Sequence, residues 1–133
     1  MFLGLFQGCD GFFTNEHLFW NYYLTATDVE DDLALSYHRT EDGSNYGGII
    51  PATVFATGYN KKYIIVKQHP KVFSRSSNKK IINYFILPIY DGFNYTTLNG
   101  LIGPITEDQF VIKRHDLGIP DSLSFFKEYE NLK

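Results

Sequence analysis

Four carboxylates, Asp28, Glu30, Asp31 and Asp32, lie within five consecutive residues, and oxygen-rich clusters of this kind are what hard divalent cations require. The run resembles half of a calcium loop, but the ligand spacing and the turn glycine of an EF-hand are missing, so a solvated acidic turn is the simpler reading. His38, His69 and His115 stand far apart, and none belongs to a His-x-x-x-His or Cys-x-x-Cys pattern that would hold zinc. Acyl hydrolysis would need a nucleophile beside a base, and no Gly-x-Ser-x-Gly elbow occurs. Gly47-Gly48 leads into an apolar stretch and Pro51 rather than into a helix, so it lacks the context of a phosphate loop. Asp91 with Asp116, or Glu41 with Asp42, has the residue types for glycoside hydrolysis, which asks for carboxyl groups roughly 5 to 9 Å apart. No spacing in the sequence sets such a distance. The expectation is a chain with no catalytic residue, no bound metal and no cofactor.

Basic residues make the second grouping. Seven of the twelve Lys and Arg residues lie between positions 61 and 80. Lys61 and Lys62 fall in a predicted hairpin turn, whereas Lys71, Arg75, Lys79 and Lys80 fall in a polar loop. The strand between them spans about seven residues, roughly 23 Å, so the bases divide into two patches. The longer loop is the predicted partner-contact surface, through Lys71, Phe73, Arg75, Lys79 and Lys80, because recognition residues collect on loops carried by a rigid sheet. A solvated loop that keeps the sheet edge soluble is the competing reading.

Charge is also uneven along the chain. Residues 1–60 hold eight acids against Arg39 alone, while residues 61–133 hold eleven bases and seven acids. Either the two halves attract each other across one fold, or they present a two-signed surface to a partner. A net charge of -3, a pI near 5.7 and the lack of any recognition motif argue against nucleic acid.

The elements that must position these groups are legible from periodicity. At 133 residues with 17% aromatic content, the chain suits one domain with a true core. The runs Thr53 to Tyr59, Tyr63 to His69 and Ile81 to Ile89 predict an antiparallel meander. A turn at Asn60, with positive φ and residue 59 facing 62, would place Phe55 opposite Val66 and Thr57 opposite Ile64. His17 to Thr27 alternates as one strand and forms a hairpin with Leu33 to Tyr37. Thr106 to Gly118 predicts a helix, with Thr106 and Gln109 as a capping box, Gly118 as the stop, and Phe110, Val111 and Leu117 as its apolar stripe. The stretch 91–103 reads as irregular or at most a short edge strand, and 122–130 as a short helix or an edge strand. The fold class is therefore α+β: an antiparallel β-meander sheet of about five strands, with one C-terminal helix packed on a face through Phe110. Phe55, Ile64, Ile65, Val66, Tyr84 and Ile86 are its predicted core. No apolar run approaches the roughly 20 residues of a membrane-spanning helix.

Leu5-Phe6-Gln7-Gly8-Cys9 resembles the lipobox of bacterial lipoproteins, in which a small residue precedes the cysteine that is lipidated. Phe6 and Gln7 depart from its usual aliphatic and small residues. The resemblance implies a recorded start inside a longer signal, a lipid on Cys9, a signal remnant and tether over 1–16, and a globular domain over 17–133. A lone cysteine forms no internal disulfide in any case. The layout is also similar to small uncharacterised lipoproteins of the Bacteroides group: Asn21-Tyr22-Tyr23-Leu24 in a strand, Lys62 to Pro70 as another, and Gly103-Pro104-Ile105-Thr106 as a turn before a helix. Those proteins have no assigned activity, so the resemblance implies an address and a class. It implies a bacterial envelope location, at the outer membrane or periplasmic face. The corresponding role is a non-catalytic binding or accessory module with a protein or glycan partner. Aromatics such as Trp20, Tyr22 or Tyr95 would stack on that partner. The residues alone leave open a soluble, cytoplasmic protein of the immunity or other interaction type, with Cys9 a buried or incidental thiol. A hydrolase is the third reading.

Overall fold

Ile64, Ile65 and Val66 are consecutive and fully buried. Successive side chains in a strand point to opposite sides, so this strand has to be covered on both faces. The computed structural model, which describes residues 14–38, 46–72, 75–89 and 100–133, shows how. Its elements in chain order are β1 (Thr14–Phe19), β2 (Tyr22–Ala26), a 3-10 turn (Glu30–Asp32), β3 (Ala34–His38), β4 (Tyr46–Ile50), β5 (Val54–Tyr59), β6 (Tyr63–Gln68), β7 (Asn83–Pro88), β8 (Ile102–Ile105), α1 (Glu107–Asp116) and β9 (Lys127–Glu128). They build an antiparallel five-stranded sheet ordered β9-β5-β6-β7-β8 and a four-stranded sheet ordered β1-β2-β3-β4.

Ile64, Val66, Phe85 and Leu87 cluster with Tyr22, Leu24, Leu35, Tyr37 and Ile50, so the smaller sheet covers one face of the larger. Ile65, Tyr84 and Ile86 cluster instead with Phe110, Ile119 and Leu123, so the helix and the chain after it cover the other. The α+β class and all six predicted core residues hold. The single expected sheet is instead one of two, because the meander was apolar on both sides. Each fully buried aliphatic side chain contributes about 1.5 to 3 kcal/mol, and most of that burial lies between the sheets.

Three expected details change. The segment His17 to Thr27 is not one strand: the chain reverses at Trp20 and Asn21, and β1 pairs with β2 through Glu16 opposite Leu24 and Phe19 opposite Tyr22. Trp20 carries φ +52, the only positive value at a non-glycine among the described residues. The reversal preserves the alternation of apolar positions, so periodicity does not reveal it. The sheet also includes Thr14 to Glu16, which the expected tether had absorbed.

The β5–β6 hairpin is shifted by two residues, with Tyr59 facing Ile64 and Thr57 facing Val66. Asn60 achieves this without positive φ. Its side-chain oxygen accepts from the backbone N–H groups of Lys62 and Tyr63, each at 2.8 Å, an Asx turn that leaves the two lysines at the tip. A two-residue shift keeps every side chain on its face, so the core prediction survives it.

The helix is capped as read: Thr106 accepts from the Gln109 N–H at 3.2 Å, and the Gln109 side chain accepts from the Thr106 N–H at 2.9 Å. Gly118, at φ +72, ends it, with its N–H bonded to His115 and the Ile119 N–H to Arg114. Of the predicted stripe only Phe110 is buried; Val111 is 56% exposed. Neighbouring helical residues project about 100° apart, so one line of contact with the sheet cannot take both. The open choice at 122–130 resolves as neither a helix nor a strand at Leu123 to Phe126, but as a two-residue edge strand just after it. Lys127 and Glu128 pair with Thr57 and Ala56 of β5.

Candidate functional site

The acidic turn and the basic loop, 46 residues apart between Asp31 and Ser77, meet in space. Asp31 accepts from the Ser77 N–H at 3.0 Å and from its hydroxyl at 3.1 Å. The Asp31 carbonyl accepts from the Thr53 hydroxyl at 2.5 Å, which ties the turn to the start of β5. One oxygen of Asp32 takes the Thr27 hydroxyl and the N–H groups of Asp28 and Val29, and the other faces the Lys71 ammonium at 3.1 Å. Burial is the largest influence on the Asp32 carboxyl and favours its neutral form. Hydrogen bonds from Lys71 and the backbone together outweigh it, and the group is held below its ordinary range. The acidic run is therefore not a purely solvated turn. It clasps the loop opposite.

Between the two segments lies an open-sided cleft of about 810 Å³. Its acidic wall carries Asp28, Asp31 and Asp32 with Val29, and its basic wall carries Lys71, Arg75 and Lys79 with Ser76 and Ser77. Of the predicted contact residues, Lys71, Arg75 and Lys79 thus come together. Lys80 is exposed but is not part of the lining. Phe73, like Cys9, lies outside the described residues. The basic residues are not equivalent. Lys71 is held by Asp32 and its side chain is only 12% exposed, and Lys79 donates to the Asn131 carbonyl at 3.2 Å. Arg75 and Asp28 are exposed, and their side chains have no partner among the described residues.

A second polar junction was not anticipated. Glu16 of β1 receives the Lys127 ammonium of β9 on one oxygen and the Tyr129 hydroxyl on the other. Burial works hardest on Glu16, toward the neutral acid, but the bonds from Lys127 and Tyr129 outweigh it and hold its carboxyl low. Tyr129 is pushed up, first by burial and then by Glu16. Beside this junction, Phe19 stacks on Tyr59 at 4.7 Å, and Tyr59 meets Phe126 edge-on at 5.0 Å. The aromatics expected to be free for stacking are placed differently. Tyr22 is 1% exposed, and its hydroxyl is pushed up to about 12 by burial and by Tyr37. Trp20 is half-buried against the core, and Tyr95 lies outside the described residues. Among the described residues, Phe126, at 57% exposure, is the exposed aromatic instead.

The remaining candidates stay apart. His69 is buried and stacked on Phe55 at 4.1 Å, His38 packs edge-on against Tyr23, and His115 is exposed near the helix end. No group of three or more His, Cys, Asp or Glu side chains among the described residues is placed to hold a metal. Gly47-Gly48 sits inside β4. Asp91, Glu41 and Asp42 lie outside the described residues.

The model of a family described as protein of unknown function, DUF3997, matches residues 20–129. The chain belongs to the DUF3997 family. No curated protein and no solved structure matches this DUF3997 chain. The matched span contains both walls of the cleft, from Thr27 to Lys79, but stops short of Glu16. The sequence carried one signal of both junctions. Acids of the first half pair with bases of the second where Asp32 meets Lys71 and where Glu16 meets Lys127.

Proposed function

We propose that this DUF3997 protein is a non-catalytic binding or accessory module, tethered to the bacterial cell envelope by lipid on Cys9, and that it engages its partner through the cleft between the 27–32 and 71–79 segments. The observation that carries the binding role is the cleft itself. It has a volume of about 810 Å³, within the range of roughly 300 to 1,000 Å³ typical of ligand sites, and it gathers three of the contact residues singled out in the sequence. Its lining includes Arg75 and Asp28, exposed and with no side-chain partner among the described residues, on loops carried by a packed two-sheet scaffold. The tether rests on the Gly8-Cys9 pair, and stable anchoring would use the more than one acyl chain that bacterial lipoproteins carry.

Two experiments test the two parts separately. Intact-mass measurement of protein from the native host should find Cys9 acylated, and Cys9→Ser should leave the detergent phase. An unmodified thiol removes the tether, and the cleft would then belong to a soluble interaction protein of the immunity type. For the contact role, envelope extracts at low salt should yield different partner sets for wild type and for an Arg75→Glu, Lys79→Glu variant, because exposed charges act most strongly there. Identical sets would eliminate it. Lys71 is left intact in that variant, since reversing it would disturb the turn as well as the surface.

A further inference from the structure

The two walls of the cleft carry equal and opposite formal charge: Asp28, Asp31 and Asp32 against Lys71, Arg75 and Lys79. Within it Asp32 and Lys71 neutralise each other at 3.1 Å, and Asp31 is satisfied by neutral donors of Ser77. Among the described residues, the groups left to meet a ligand are of both signs, Asp28 on one side and Arg75 on the other, with Ser76 and the half-exposed Val29 also lining the cleft. Resting on the reading of this cleft as the contact site, we infer that its occupant is a polypeptide segment bearing an acidic and a basic side chain a few residues apart.

The chemistry selects against simpler ligands. A lone anion attracted by Arg75 and Lys79 is repelled by Asp28 and Asp31, and a lone cation meets the reverse. An uncharged glycan leaves both Arg75 and Asp28 without a counter-ion, so it gains nothing from the feature that distinguishes this cleft. A two-signed peptide answers both walls at once. Its side chains pair with Arg75 and Asp28, its backbone can exchange hydrogen bonds with Ser76, and an apolar neighbour can rest on Val29. Complementarity of this kind gives orientation, since the peptide fits in one direction and is opposed in the other.

The test uses the full chain and a phage-displayed library of random short peptides, followed by fluorescence polarisation with the best-enriched sequence. Enriched peptides should carry both an acid and a base. Arg75→Glu and Asp28→Lys should each weaken binding about fivefold or more, as expected when an exposed pair becomes a repulsion. The double variant should prefer the same peptide with its acid and base exchanged. All three positions to be changed, including Ser76, are exposed, and thermal melts check that the variants fold. Ser76→Trp separates two kinds of failure by filling the cleft without changing its charge. If it blocks binding while Arg75→Glu and Asp28→Lys do not, the cleft stands as the site and the two-signed ligand falls. If Ser76→Trp leaves binding intact, the cleft reading falls and this inference with it. Enrichment of single-signed or uncharged peptides, or no enrichment at all, also overturns it.

Discussion

Glu16 and the Asp31–Asp32 turn do the same job with different remainders. Each brings the acidic half of the chain onto the basic half. At Glu16 both carboxylate oxygens are committed, to Lys127 and Tyr129, and the adjoining hollow is only about 240 Å³. At the turn, two of the three acids and two of the three bases that line the cleft are engaged, and its volume of about 810 Å³ stays open beside Asp28 and Arg75. The cause lies in what carries the side chains. Glu16 and Lys127 project from strands whose registers are fixed by Leu24 and Thr57, so the two strands leave little freedom over where the side chains meet. The turn and loop hold more polar groups than their mutual contacts consume. Strand-borne charges here close a structure, whereas loop-borne charges leave a surface.

Both junctions depend on the shared core, and breaking that core gives the largest expected effect. Ile65→Asp places a carboxylate without a partner at a fully buried position between sheet and helix, a cost of several kcal/mol in a domain with about 5 to 15 to lose. Circular dichroism should show no cooperative thermal transition. A soluble, cooperatively melting variant would refute the assignment of this layer.

Next in size is Gly58→Ala, which separates the two junctions. A Cβ there would stand 1.9 Å from the Ser124 carbonyl oxygen, a backbone atom with little room to yield. The C-terminal segment that delivers Lys127 and Tyr129 to Glu16 should be pushed off β5, at a cost of about 1 to 3 kcal/mol. Hydrogen exchange should speed up at Tyr129, whose N–H bonds the Phe55 carbonyl at 2.8 Å, and remain slow at Ser77. Equal loosening of both would mean the junctions are one cooperative unit.

Lys71→Ala is the matching change at the open junction. It removes the cation from Asp32, whose side chain is 23% exposed, and should destabilise by about 1 kcal/mol in a denaturant titration. Arg75→Glu, by contrast, should stay within about 0.5 kcal/mol of wild type, because that side chain is exposed and has no partner to lose among the described residues. A large loss at Arg75 would mean the cleft is structural.

Smallest is the pH response of Glu16. Its carboxyl is held below the ordinary range in the folded chain, so its contribution is present above the unfolded value of about 4.3 and disappears as pH falls through the lower folded one. Glu16→Gln should melt below wild type near neutrality, and the two should converge in acid. With 38% of the side chain exposed, the gap should be under about 1 kcal/mol. A gap that persists unchanged below pH 3 would mean the carboxylate charge is not what Lys127 and Tyr129 recognise.

Much of the frame was legible because it depends on local chemistry. The Thr106 and Gln109 capping box, the Gly118 stop and the alternation through Ile64, Ile65 and Val66 act within a few residues of themselves, and the sequence alone determined the helix, the meander and the buried positions. Three features were not legible in this way. The reversal at Trp20 kept the apolar phase intact and so left no trace in periodicity. The second sheet was implied only by an apolar face that needed a cover, which periodicity does not name. The pairings of Asp31 with Ser77 and of Glu16 with Lys127 join residues far apart in the chain. Composition announced opposite charges, but Coulomb attraction has no sequence address. Only the packing of the two sheets decided which charges met, and which of those lining the cleft, Asp28 and Arg75, have no side-chain partner among the described residues.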